Sequence, residues 1–69
     1  MKKIIFISAP RTRMAEIELY IETICTSYRI VESNINEVQW MCVIFASEYN
    51  QIKEYVSSKS GVDILSEQD

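Results

Sequence analysis

The feature that most constrains this chain is the apolar run Trp40–Ala46, WMCVIFA, which has one rival, Ile4–Ile7, IIFI, near the N-terminus. Successive side chains of a strand point to opposite faces of a sheet, so a run that is apolar at every position has two apolar faces. The β-branched and aromatic composition favours strand over helix. The pattern predicts two central strands, Lys3–Ser8 and Val38–Ala46, in a sheet that needs cover on both sides.

A stretch with helical periodicity follows each run. In Arg13–Tyr28 the apolar residues recur every three or four positions, opposite a face of Glu and Thr, and Thr12 is placed to cap the first turn. The second stretch, Ser47–Ser60, begins at a potential Ser47 cap and ends before Gly61, the single glycine, where a left-handed residue commonly ends a helix. Both stretches are predicted to be amphipathic helices that cover the sheet.

The remaining segments complete one domain over residues 1–65. Arg29–Glu32 is predicted to be an edge strand, Ser33–Asn36 a turn, Val62–Leu65 a short last strand, and residues 66–69 a frayed acidic tail. The order strand, helix, strand, strand, helix, strand is that of the α+β ferredoxin-like βαββαβ two-layer sandwich, in which the first and third strands are central. The alternative is a small flavodoxin-like α/β three-layer fragment with one helix on each face.

In the ferredoxin-like arrangement both helices cover one face of the sheet. The other face would then be bare, yet neither central strand alternates between apolar and polar residues. An apolar patch of this size is rarely left exposed on a monomer. We therefore predict that a second copy of the chain or a larger protein covers it, with an interface formed by Ile5, Ile7, Trp40, Cys42 and Ile44 and by Leu19, an apolar residue on the acidic helix face.

The composition supports an oligomer or a tight partner. A domain of 69 residues has a core that supplies only about 3–5 kcal/mol, so small domains of this kind usually carry disulfides, a metal or a partner chain. The chain has two cysteines, no histidine and no CxxC spacing. Cys25 and Cys42 are predicted to be reduced core residues of a cytoplasmic protein, without a disulfide, metal or cofactor.

The charge is distributed unevenly along the chain. Four of the seven basic residues lie in residues 1–13, where there is no acid, and the rest of the chain carries three bases and all ten acids. An acidic body disfavours nucleic-acid binding, which depends on neutralised phosphates. No run approaches the length of a membrane span, and the short apolar run after Lys2 and Lys3 does not have the form of a signal peptide.

Catalysis is disfavoured by exclusion. Without histidine the commonest general base is missing, and a phosphate-binding loop rich in glycine is absent. The expectation is therefore a protein that is not an enzyme. One local cluster, Ser8, Arg11, Thr12 and Arg13, has hydroxyls and guanidinium groups at a helix start and is a candidate site for a small anion such as a nucleotide. In the competing interpretation the two arginines pair with Glu16 or with the acidic tail.

The same turn carries a short resemblance. Ile5–Thr12, IFISAPRT, resembles the opening strand and loop of nucleoside 2-deoxyribosyltransferase-like proteins, in which a small residue, proline and threonine lie beside the nucleotide. The resemblance implies a nucleotide at this loop, and an enzyme of that kind would also need a carboxylate against it. It covers eight residues, and the later segments offer no match to the catalytic glutamate or substrate-holding motif of that family.

These observations lead to two functional hypotheses, and the resemblance adds a third, a minimal nucleoside-processing enzyme with a carboxylate against the same loop. The first is a small protein-binding module or inhibitor that acts as a homodimer or by docking on a larger protein; phage-encoded anti-defence inhibitors, which act in the host cytoplasm, are often small acidic chains of this type. The second is a protein that binds or sequesters an anionic nucleotide at Ser8–Arg13.

Overall fold

The structure is a computed structural model that describes residues 1–68. Within this range the chain is an α+β protein with four strands and two α-helices, and a 3-10 turn precedes each helix at residues 11–13 and 46–48. No helix in the described part is both long enough and apolar enough to cross a bilayer. The elements in chain order are β1 (Lys2–Pro10), α1 (Met14–Ile24), β2 (Ser27–Ser33), β3 (Glu37–Phe45), α2 (Tyr49–Ser57) and β4 (Asp63–Gln68).

The strands form a single sheet in the order β2-β3-β1-β4, and every neighbouring pair is antiparallel. The two apolar runs are therefore the central strands, as their composition predicted. β1 pairs with β3 along its whole length, from Lys2 opposite Phe45 to Pro10 opposite Glu37. The flavodoxin-like alternative is wrong, because that arrangement requires parallel strands joined by crossover helices.

Both helices contribute to a core on one face of the sheet. Ile17 and Ile21 of α1 and Ile52 and Val56 of α2 are buried there. The strands supply the other side of this core with alternate residues, which are 0–4% exposed: Ile5, Ile7, Ala9, Val38, Trp40, Cys42 and Ile44, with Val62 from the segment before β4. Burial of these side chains is the main favourable contribution to folding.

The predicted helix boundaries are wrong at all four ends, and α2 ends at Ser57 and not at Ser60. Helix α1 ends at Ile24 and not at Tyr28, because the Thr26 N–H donates to the Val43 carbonyl at 2.9 Å and β2 pairing begins at Ser27. Neither predicted N-cap residue acts as a cap, since Thr12 and Ser47 lie within the 3-10 turns. The 3-10 turns move the first α-helical residue to Met14 and Tyr49.

The last strand is longer than its sequence indicated. Residues 66–68, for which a frayed tail was predicted, pair with β1 at Phe6, Ile5 and Ile4, while Asp69 lies outside the described residues. The Lys3 ammonium on β1 forms a salt bridge with the Glu67 carboxylate on β4 at 2.9 Å. The polar composition of this segment suits an edge strand, because its side chains need not enter the core.

The turn between α2 and β4 depends on Gly61. It has a positive φ of 80°, and a Cβ at this position would lie 3.0 Å from Cγ of Pro10. We therefore expect Gly61→Ala to lower the free energy of unfolding by about 1–2 kcal/mol, the cost of a left-handed residue with a side chain. Urea denaturation followed by circular dichroism measures the change. Ser60→Ala, at the preceding exposed position, is the control, and equal stabilities of the two variants would contradict the prediction.

Candidate functional site

The face of the sheet opposite the helices carries an apolar centre. Ile4 lies opposite Val43 and Phe6 opposite Met41, so these central-strand side chains share a face that alternates with the buried one. All four are half-buried, and Phe45, which continues the row, is 46% exposed. The apolar strip, as we call it, consists of Ile4, Phe6, Met41, Val43 and Phe45.

The two ends of this face have opposite charges. At one end the Lys2 ammonium lies 5.9 Å from the centre of the Phe45 ring, which places both side chains on the same face. At the other end Glu37 accepts a hydrogen bond from the Gln39 side chain at 2.9 Å, and Glu32 of β2 is the strand partner of Gln39. The apolar strip is thus bounded by a base at one end and by acids at the other.

The five strand residues that the sequence predicted for an interface lie on the face that the helices cover. The five strand residues Ile5, Ile7, Trp40, Cys42 and Ile44 are 0–1% exposed and pack beneath the helices. Both faces of β1 and β3 are apolar, so nothing in either run distinguishes the side that the helices cover. The apolar strip and the predicted set occupy alternate positions of the same two strands, so they point to opposite faces of the sheet.

The remaining predicted interface residue, Leu19, is exposed but lies elsewhere. Its side chain is 64% accessible on α1, which packs on the opposite layer from the apolar strip. Leu19 therefore does not contribute to the same surface, and a single exposed leucine is ordinary on a soluble domain.

The predicted anion site is not assembled around a common point. Arg11 extends toward the β2–β3 turn, where its guanidinium donates to the Ser33 hydroxyl at 2.7 Å and to the Asn34 carbonyl at 3.0 Å. Arg13 extends toward α1 and donates to Glu16 at 3.0 Å, as the competing interpretation predicted. Ser8 is buried within β1, and Thr12 is exposed on the 3-10 turn.

The Glu16 carboxylate forms salt bridges with two basic side chains near this turn. Besides Arg13 it binds the Lys59 ammonium at 3.3 Å, and hydrogen bonding to Lys59 lowers the pKa of Glu16 below its usual value. Arg11 joins the start of α1 to the β2–β3 turn, and Arg13 and Lys59 are paired with Glu16. These contacts give the two arginines a role in joining parts of the fold.

A groove of about 390 Å³ runs between α2 and the edge strand β4. Its one glutamate, Glu67, is engaged by Tyr49 and by Lys3, and the hydrogen bond from Tyr49 lowers the pKa of Glu67. Lys3 also lies 4.5 Å from the centre of the Tyr49 ring. The groove is lined by Tyr49, Lys53, Val56, Ser57, Asp63, Ile64, Leu65, Ser66 and Glu67.

Over residues 1–68 no cluster of three or more metal-ligating side chains occurs. Comparison of the chain with protein-family models, with curated proteins and with solved structures gave no match.

Proposed function

We propose that this chain is a non-enzymatic protein-binding module that uses the apolar strip as its interface, and that a second copy of the chain is the occupant. The observation that carries the proposal is the row Ile4, Phe6, Met41, Val43 and Phe45 on a face that neither helix covers. Full burial of one such side chain is worth about 1.5–3 kcal/mol. Covering the half-buried row therefore adds a contribution comparable with the ~3–5 kcal/mol that a core of this size supplies.

We also propose that the chain has the ferredoxin-like arrangement. Its support is the strand order β2-β3-β1-β4, the antiparallel pairing throughout, and the position of both helices in one core layer. That arrangement leaves one face of a four-stranded sheet without cover from its own chain. An apolar patch on such a face is typical of a site that binds another protein.

The size of the face is suited to a dimer. The Cα extents of the molecule are 35 × 23 × 20 Å. Its two larger faces therefore have areas on the order of 700–800 Å², close to the ≈ 800 Å² that each partner contributes to a standard interface.

The charges favour a second copy over an unrelated surface. A two-fold axis between stacked sheets, perpendicular to the strands, reverses the strand direction of one copy relative to the other. Lys2 of each copy then lies over the end of the face that carries Glu32 and Glu37. Closed two-fold interfaces are self-complementary in this way, and charge complementarity of this kind fixes their register.

The proposal is tested by light scattering at micromolar concentration on the wild type and on Phe6→Glu and Val43→Glu. We expect a dimer for the wild type and folded monomers for both variants, because each variant places a carboxylate in the centre of an apolar interface. Leu19→Glu is the matched control, since it adds the same charge at an exposed apolar residue outside the strip, and it should remain a dimer. A monomeric wild type would contradict self-association.

A charge reversal tests the register. Lys2→Glu should weaken the dimer roughly two- to fivefold, as expected for an exposed ion pair. The double variant Lys2→Glu with Glu37→Lys should regain the wild-type dissociation constant. Failure of the second change to restore affinity would exclude the two-fold arrangement described above, although not the use of the apolar strip.

The size and acidity of the chain also suggested an inhibitor. In that case a larger protein, and not a second copy of the chain, would bind the apolar strip. A monomeric wild type that captures a protein, and a Phe6→Glu variant that fails to capture it, would support that version. The anion-binding alternative lacks comparable support, because the Arg11 and Arg13 guanidinium groups diverge and bind groups of the chain itself.

A further inference from the structure

The groove between α2 and β4 lies beside an open edge of the sheet. Strand β4 pairs with β1 on one side only and is the last strand in the order β2-β3-β1-β4. Alternate residues of an edge strand direct their N–H and C=O groups away from the sheet, so about half of the backbone groups of β4 have no strand partner. A second extended backbone is the partner that satisfies such a row of groups.

The other wall of the groove is one side of α2. Tyr49, Lys53 and Ser57 line it and recur every four residues, which places them in one row along the helix. Val56 and Ile64 are the core residues of the lining and form its floor. The space between this row and β4 is about 390 Å³, within the range of sites that enclose a ligand. A segment paired with the edge of β4 would therefore turn one of its faces toward α2.

A β-bulge in β4 adds an exposed apolar side chain to the groove. In the β1–β4 pair Phe6 lies opposite Ser66. The next residue, Ile7, lies opposite Ile64, so Leu65 is the extra residue of β4. Bulges at sheet edges commonly redirect a side chain. Leu65 lines the groove and is 52% exposed, which makes it an apolar contact available to a bound segment.

Three charged residues line the groove, and Lys53 is the one whose charge is not balanced. Glu67 forms a salt bridge with Lys3 at 2.9 Å. Asp63 is the strand partner of Ser8, which alternates with the core residues of β1, so the Asp63 carboxylate is directed to the opposite face of the sheet. Lys53 is exposed and forms no ion pair with any side chain of residues 1–68. The groove therefore favours a segment that carries a carboxylate.

We propose that the groove and the edge of β4 bind an extended peptide segment of a partner protein, which adds one more strand to the sheet and places an acidic side chain beside Lys53. In this mode of recognition the paired backbones supply affinity, and the side chains that enter the groove supply specificity. An apolar side chain on the same face of the segment covers Leu65. The apolar strip lies on the face opposite the helices, so the groove is separate from the proposed dimer interface.

The experiment titrates the isotope-labelled wild type with the acetylated and amidated peptide Thr-Val-Thr-Glu-Thr-Val-Thr, whose valines and glutamate share one face of a strand. We expect saturable amide shifts and slowed hydrogen exchange along β4 and α2, and no change in β2, the other edge strand. Absence of saturable shifts up to about 1 mM peptide, or shifts centred on β2, would overturn the proposal. Protection of β4 that grows with protein concentration in the absence of peptide would show that a second copy occupies the edge, and would also overturn it.

Two methylated forms of the peptide test the backbone pairing. One carries N-methyl groups on the two threonines that flank the glutamate, and the other carries them on the two valines. Neighbouring N–H groups of a strand point to opposite edges, so only one form keeps the donors that face β4. We expect one form to bind roughly tenfold more weakly than the other, as for the loss of two hydrogen bonds. Equal affinities of the two forms would contradict strand pairing.

A charge-matched pair of variants tests the role of Lys53. Lys53→Gln and Gln51→Glu lower the net charge by the same amount, but Gln51 is an exposed residue of α2 outside the groove. We expect Lys53→Gln to weaken binding roughly two- to fivefold and to remove the preference over the same peptide with lysine in place of glutamate. Gln51→Glu should bind as the wild type does, and an equal loss in both variants would overturn the role of Lys53. Phe6→Glu should also bind the peptide, so failure of the dimer and failure of this site are distinguishable.

Discussion

Replacing Ile5 by glutamate is expected to unfold the chain, whereas the same replacement at Ile4 is expected to leave it folded. Ile5 is 0% exposed beneath the helices, so the variant loses a buried isoleucine, worth about 2–5 kcal/mol, and also buries a carboxylate without a partner. A core of this size supplies only about 3–5 kcal/mol. At Ile4 the carboxylate points away from the helices and can reach water, so the loss should be within about 1 kcal/mol in the monomer.

Far-UV circular dichroism and amide NMR dispersion distinguish these outcomes. The two residues are adjacent in the same strand and the substitution is the same, so strand propensity and added charge cancel in the comparison. If both variants fold, or if both unfold, the assignment of the two faces is wrong. The pair also supplies an independent test of the interface, since Ile4→Glu should be a folded monomer.

Trp40→Ala is expected to have the second large effect. The indole is fully buried in the core, and its Nε1 donates to the Glu18 carboxylate at 3.4 Å, which satisfies its polar atom at the edge of α1. Truncation of a buried tryptophan to alanine costs about 3–5 kcal/mol. This loss is close to the whole stability expected of the domain, so the variant should be largely unfolded at room temperature.

Glu18→Gln is the matched control for the indole contact. The amide oxygen keeps an acceptor for the indole N–H, so the stability should change by no more than about 0.5 kcal/mol. Urea denaturation followed by far-UV circular dichroism suits both variants, because Trp40 is the single tryptophan and its removal abolishes the fluorescence signal. A loss below about 1 kcal/mol for Trp40→Ala would show that the residue is not the centre of the core.

Part of the candidate site could be read from the residues. The apolar character of both faces of β1 and β3 predicted an apolar sheet face that needs a partner, and the two runs are the central strands. The residues on the uncovered face could not be identified from the sequence. Ile4 and Ile5 are chemically identical, and as neighbours in a strand they point to opposite faces of the sheet. The helices decide between them by packing on one side.

Local sequence patterns also could not predict contacts between residues that are far apart in the chain. Arg11 meets Ser33 and Asn34 across the sheet end, and Thr26 meets Val43 where α1 ends beside β3. Neither pair has a characteristic spacing in the chain. Each results from the path of the backbone after the strands have paired.

The order of the elements, the central position of the two apolar runs and the left-handed turn at Gly61 follow from the amino-acid pattern alone. They follow because strand alternation, helical periodicity and the freedom of glycine act over a few residues. The tertiary structure decided which side of the sheet is buried, where α1 ends and β2 begins, and how far β4 extends. These outcomes depend on strand pairing and helix packing, which join residues that are remote in sequence and whose local patterns permit more than one arrangement.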